Sequence, residues 1–105
     1  MEYTLNEQNF TKEVLESNVP VLVDFYADWC GPCRAMSPVV TQLAEEFEGK
    51  IKVGKVNTDQ NDGLANEYGI LSIPNFKLFV SGKAAEEIVG LVPKSVLEDA
   101  INKHL

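Results

Sequence analysis

The chain's only two cysteines lie three residues apart in Trp29-Cys30-Gly31-Pro32-Cys33-Arg34, beside its only tryptophan. At that spacing in a helical turn the two Cα atoms stand roughly 5–6 Å apart, inside the window in which a disulfide closes. Such a pair can close and reopen. A thiolate is the attacking species, and a free cysteine titrates near ~8.5, too high to be mostly ionised at neutral pH. A helix N-terminus supplies unpaired amide donors and positive dipole potential, both of which favour the thiolate. Position then divides the roles. Cys30, ahead of Pro32, is expected at an exposed lip and attacks a substrate disulfide. Cys33, one turn further in and more enclosed, attacks the mixed disulfide and releases the reduced product. Gly31 lets a substrate backbone approach, and Pro32 stiffens the turn.

Two other uses of the pair stay open on these residues alone. A structural disulfide across so short a loop would constrain the unfolded chain little. A structural zinc site needs four ligands; the chain adds one histidine, His104, at the far terminus, where a solvated helix-end residue and no ligand is expected.

The elements that must position the pair read as follows. Met1–Leu5 is a first strand or lead-in. Asn6 caps a helix over about 7–17, with Phe10 and Val14 on one face. Val21–Ala27 is a nearly continuous apolar run, the mark of a central strand covered on both faces. From Pro32 to Phe47 an apolar stripe of Met36, Val39, Val40, Leu43, Ala44 and Phe47 predicts a helix, interrupted in its donors by Pro38 and ended by Gly49. Ile51–Asn57 is a second strand, so the three form a right-handed βαβ unit with parallel strands. A short helix over about Asp62–Tyr68 ends at Gly69. Strands Asn75–Val80 and Glu86–Val89 flank Ser81-Gly82 as an antiparallel hairpin. A last helix over about Lys94–His104 buries Val96, Leu97, Ala100, Ile101 and Leu105.

With 105 residues, 45% hydrophobic and 24% charged, this is the composition of one globular domain over 1–105. A net charge of −7 argues against nucleic acid or an anionic membrane as partner. The start carries no basic segment followed by an apolar core, and no run approaches the ~18 residues of a membrane span. The expected location is therefore the cytoplasm, where a close cysteine pair is more often catalytic or metal-binding than structural.

The stretch Asp24-Phe25-Tyr26-Ala27-Asp28-Trp29-Cys30-Gly31-Pro32-Cys33-Arg34 resembles the active-site segment of the thioredoxin family. The likeness continues through Pro38, Lys55-Val56-Asn57, Asp59, Tyr68-Gly69-Ile70, Ile73-Pro74, Phe79, Gly82 and Gly90, in that family's order and spacing. It implies an α/β thioredoxin fold, a central mixed β-sheet with helices on both faces. It also implies a protein-disulfide reductase that carries electrons in its own Cys30–Cys33 pair, with no bound cofactor. The partners implied are a thioredoxin reductase and disulfide-containing client proteins, and the chain is expected to be a monomer. No nucleotide fingerprint is present, so electrons must come from another protein.

The resemblance also assigns supporting roles. Asp24 would accept or donate the proton of Cys33; the alternative is a partly exposed strand-end carboxylate. Lys55 is a candidate partner for Asp24, or a solvated lysine. Ile73 and Pro74 would form a cis peptide facing the cysteines, with the Ile73 backbone pairing an extended substrate. Trp29 would wall the site, the alternative being a core aromatic, and Gly90 would leave room for the substrate chain, an ordinary strand-end glycine being the simpler account. Tyr26, Arg34, Leu71, Ser72 and Asn75 depart from residues common in relatives and are expected to rim the docking surface. Two rival functions remain: a disulfide oxidase or isomerase on the same fold, and a binding module whose dithiol is incidental.

Overall fold

The computed structural model describes residues 1–105. Strands β1 (Glu2–Leu5), β2 (Val21–Tyr26), β3 (Lys52–Asn57), β4 (Asn75–Val80) and β5 (Lys83–Val89) form one five-stranded sheet in the order β1-β3-β2-β4-β5. The first three strands are parallel; β4 runs antiparallel to β2, and β5 antiparallel to β4. Helix α1 (Gly31–Glu46) makes the crossover from β2 to β3, and helices α2 (Asp62–Glu67) and α3 (Lys94–Asn102) follow β3 and β5.

Alternation along the central strands explains why both faces are covered. On one face Leu22, Val53, Phe76 and Leu78 meet Met36, Val40, Leu43 and Phe47 of α1 and Leu97 and Ile101 of α3. On the other, Val21, Val23, Phe25, Val56 and Phe79 meet Phe10, Val14 and Leu64. Val23, Phe25, Val40, Leu43 and Leu97 are fully buried. The α1 core clamps the helix that carries both cysteines, so packing well below the site sets their position.

The boundaries differ most from the sequence expectation at two places. The helix expected over 7–17 is a turn followed by a π-helical segment, Thr11–Leu15. Asn6 caps the turn, its Oδ1 accepting from the amides of Gln8 and Asn9, but the π-helical segment begins after Phe10 with no side-chain cap. Asn9 in turn bonds Asn6 N and Thr4 O, and these side-chain bonds replace the first helical turn. The second hairpin strand begins at Lys83, three residues earlier than read. Ser81 and Gly82 have φ of 53° and 81°, the conformation of a two-residue turn that lets pairing start at Val80 and Lys83. Most of β5 is exposed and a bulge shifts its register after Leu78, so no apolar alternation marks it.

At the C-terminus, Leu97, Ala100 and Ile101 are buried as expected, but Val96 and Leu105 are exposed. One residue off the face turns Val96 by a helical step of ~100°, and Leu105 lies beyond the helix end. His104 is not simply solvated: its Nε2 lies 2.8 Å from Glu86 Oε2, tying the C-terminus to β5.

Candidate active site

Cys30 is the N-cap of α1, in extended conformation, with Pro32 in the first turn. Pro32 fits there because its missing N–H would have had no helical partner. Cys30 and Cys33 are joined by a disulfide with their Cα atoms 5.2 Å apart. The Cys33 amide donates to Cys30 Sγ at 3.2 Å, so the sulfur occupies the place of a capping oxygen. A thiolate formed there keeps that donor and sits at the positive end of the helix.

The expected exposed lip is absent in this disulfide form. Cys30 is only 4% exposed, no more than Cys33 at 5%, because Tyr26 and Ile73 pack against the pair. Cys30 Sγ lies 3.8 Å from the carbonyl oxygen of Ile73. The Ile73–Pro74 peptide is cis. Ile73 thus stands over the outer sulfur, although it is 43 residues away in sequence.

Trp29 is 69% exposed, which excludes the core reading. Its indole Nε1 donates to Asp59 Oδ2 at 2.9 Å, fixing the ring beside the cysteines. Gly90, with φ of 95°, donates its amide to Pro74 O at 2.8 Å. Nothing lies within 4 Å of where a Gly90 side chain would begin, so the surface there is open. Gly31 is similarly uncrowded. Leu71 is almost wholly exposed, as expected of a rim residue, but Asn75 is not one. Its side chain is buried, with Nδ2 donating to Glu87 Oε2 at 3.0 Å on the neighbouring strand.

Asp24 is buried in the sheet at 1% exposure, so the strand-end alternative does not hold. Burial pushes its carboxyl from 3.8 up to about 7; Lys55 opposes the shift and Glu2 adds to it. Lys55 stands beside Asp24 in the β2–β3 register. No ion pair joins the two. The Lys55 ammonium instead donates to Ser37 Oγ at 3.4 Å and sits 4.7 Å from the centre of the Tyr26 ring. Asp24 Oδ1 is left buried with no hydrogen-bond partner.

A cleft of about 270 Å³ opens beside this group, lined by Tyr26, Cys33, Arg34, Ser37 and Lys55 among others. It brings the inner cysteine and the lysine next to Asp24 into one space. Sequence reasoning overlooked Ser37 in this role and left Asp59 a bare family marker. The signal for Ser37 was its place four residues after Cys33 on the same helix face. Asp59 gave none, since only the tertiary fold brings it under Trp29.

Two sulfurs that open and close carry two electrons without help from any other group. The surrounding elements fix one sulfur at a helix start and put the Ile73 main-chain carbonyl against it. The class so defined is that of the thiol–disulfide oxidoreductases. The description of the thioredoxin family matches residues 2–103. Thioredoxin 1 of Nostoc sp. is 52% identical over 101 residues, covering 96% of this chain and 94% of the relative. Thioredoxin of Porphyra purpurea is 52% identical with the same coverage. A chloroplastic M-type thioredoxin of Spinacia oleracea is 50% identical, over 96% of this chain and 56% of the relative. The chain belongs to the thioredoxin family, and its activity is thiol–disulfide exchange with the Cys30–Cys33 pair as redox centre.

Proposed function

We propose that this protein reduces disulfides in client proteins, with Cys30 as nucleophile and Cys33 as resolving thiol. The Cys30 thiolate attacks one sulfur of the client disulfide, and the other client sulfur leaves as a thiolate. Cys33 then gives its proton to the Asp24 carboxylate and attacks Cys30 Sγ in the mixed disulfide. The second client sulfur leaves, and the Cys30–Cys33 disulfide remains. Two electrons have passed to the client, whose two thiolates take up protons. The observation that carries this reading is the Cys30 sulfur at the N-cap of α1, accepting from the Cys33 amide.

Asp24 suits the proton's path because a carboxylate shifted to about 7 binds a proton near neutral pH. The open surface bounded by Trp29, Gly31, Pro32, Ile73, Pro74 and Gly90 suits an extended client segment, with the Ile73 backbone pairing it. Lys55 acts on the charge of Asp24, opposing its rise. Recharging falls to a separate thioredoxin reductase, since the two sulfurs hold only one electron pair. The chain works as one domain and as a monomer. A radius of gyration of 12.3 Å supports the single domain, close to the ~13 Å of one packed body of this length.

No helix is long and apolar enough to cross a membrane. We assign the protein to the cytoplasm, because a dithiol donor needs a compartment that keeps thiols reduced. The chloroplastic relative marks a second such place.

The deciding measurement is the midpoint potential of the Cys30–Cys33 pair, titrated against a dithiothreitol redox buffer. A value below the roughly −220 to −260 mV of a cytosolic glutathione pool is expected of a reductant. A value well above it would make the protein an oxidase or isomerase.

A further inference from the structure

Cys33, Ser37 and Thr41 follow one another at four-residue steps, so they share one face of α1. Beneath that face runs a polar row in the sheet: Asp24 of β2, Lys55 of β3 and Glu2 of β1. Each of the two hydroxyls holds one charged neighbour. Thr41 Oγ1 donates to Glu2 Oε2 at 2.7 Å, and Ser37 Oγ accepts from Lys55 Nζ at 3.4 Å.

Lys55 has a choice of partners. Its Cα pairs with that of Asp24 across two adjacent parallel strands, which lie ~4.8 Å apart. A four-carbon side chain could bend across that gap to a carboxylate that has an unpaired oxygen. It does not. The ammonium points into the cleft beside Cys33, held by the Ser37 oxygen and the face of Tyr26.

We propose that Ser37 is a positioning residue for the resolving step: it holds Lys55 in the cleft and out of direct contact with Asp24, leaving that carboxylate without an ion pair and able to take the Cys33 proton. The inference rests on the reading of Asp24 as that proton's acceptor. A direct ion pair would favour the charged carboxylate and lower its proton affinity, by about one pH unit or more. The groups facing Asp24 from the elements packed on it are few. Lys55 comes from β3 and Glu2 from β1; Tyr26 shares its strand, and Cys33, Arg34 and Asp28 line the cleft into which Lys55 reaches. Its β4 neighbour is the apolar Phe76. Lys55 is therefore the cation whose position matters most, and Ser37 is the polar side chain holding it.

The test follows the Asp24 carboxyl by carbon NMR through a pH titration of the oxidised protein, in which the cysteines do not titrate. Ser37→Ala is expected to lower the Asp24 midpoint by about one pH unit, a tenfold loss of proton affinity. The pH profile of Cys33 attack should move the same way. Ser37→Thr, which keeps the hydroxyl, should restore the original midpoint. In a Lys55→Gln background, Ser37→Ala should shift nothing. An unchanged or raised midpoint in Ser37→Ala overturns the proposal, and so does an equal fall in the Lys55→Gln background. Failure of the underlying reading shows differently. The Ser37→Ala midpoint would still fall, while Asp24→Asn would leave the pH profile of Cys33 attack unchanged.

Discussion

Burial pushes the Asp24 carboxyl from 3.8 up to about 7, so between those values the folded chain keeps a proton that the unfolded chain has released. Folding is then favoured by low pH and opposed as pH rises through that window. Above it the buried carboxylate costs about 4 kcal/mol at most, three pH units at 1.36 kcal/mol each. Asp24→Asn should therefore raise stability at pH 8 by a few kcal/mol, and the gain should vanish below about pH 4. Urea unfolding of the oxidised protein at both pH values checks this. An equal gain at pH 8 and pH 4 would trace it to packing and not to ionisation. Keeping a destabilising carboxylate at the centre of the sheet makes sense where a proton must be moved near neutrality.

At the scale of elements, the Ser81-Gly82 turn joins β4 to β5 and leads the chain back to Gly90, whose amide bonds Pro74. Gly82 has φ of 81°, and a side chain there would start 3.0 Å from the backbone oxygen of Leu15. Gly49 and Gly69 also have positive φ, but with nothing within 4 Å. Gly82→Ala should then cost more than either relative. All three lose about 1–2 kcal/mol to the left-handed conformation, and only Gly82 adds the contact with a backbone that cannot swing away. Urea midpoints of the three alanine variants decide it; equal losses would mean that the π-helical segment yields.

For the whole molecule, a net charge of −7 bears on which clients approach. Long-range attraction should speed reduction of cationic disulfide peptides over anionic ones at low ionic strength. The difference should shrink as salt shortens the screening length to ~10 Å at 0.1 M and below. Stopped-flow rates for the two peptides across a salt series test this. Rates that do not respond to salt would place the charge away from the docking face.

The chemistry and its local frame were legible in the residues. Cysteine spacing, the proline in the first helical turn, the apolar stripe of α1 and the run of β2 act within a few turns of chain. Such short-range patterns are what spacing and periodicity report. The covering of Cys30 by Ile73, the anchoring of Trp29 on Asp59 and the burial of Asn75 each join residues far apart in sequence. The same is true of Lys55, which lies beside Asp24 yet bonds Ser37. Strand register places a carboxylate beside a lysine, and helix packing then offers that lysine a hydroxyl and a ring. Which partner wins depends on distances that only the assembled fold defines. The sequence by itself therefore determined that two sulfurs would stand within disulfide reach at a helix start, because that follows from local spacing. Tertiary structure alone decided the surroundings of the Asp24 carboxyl, because they depend on charges brought together across strands and buried away from water.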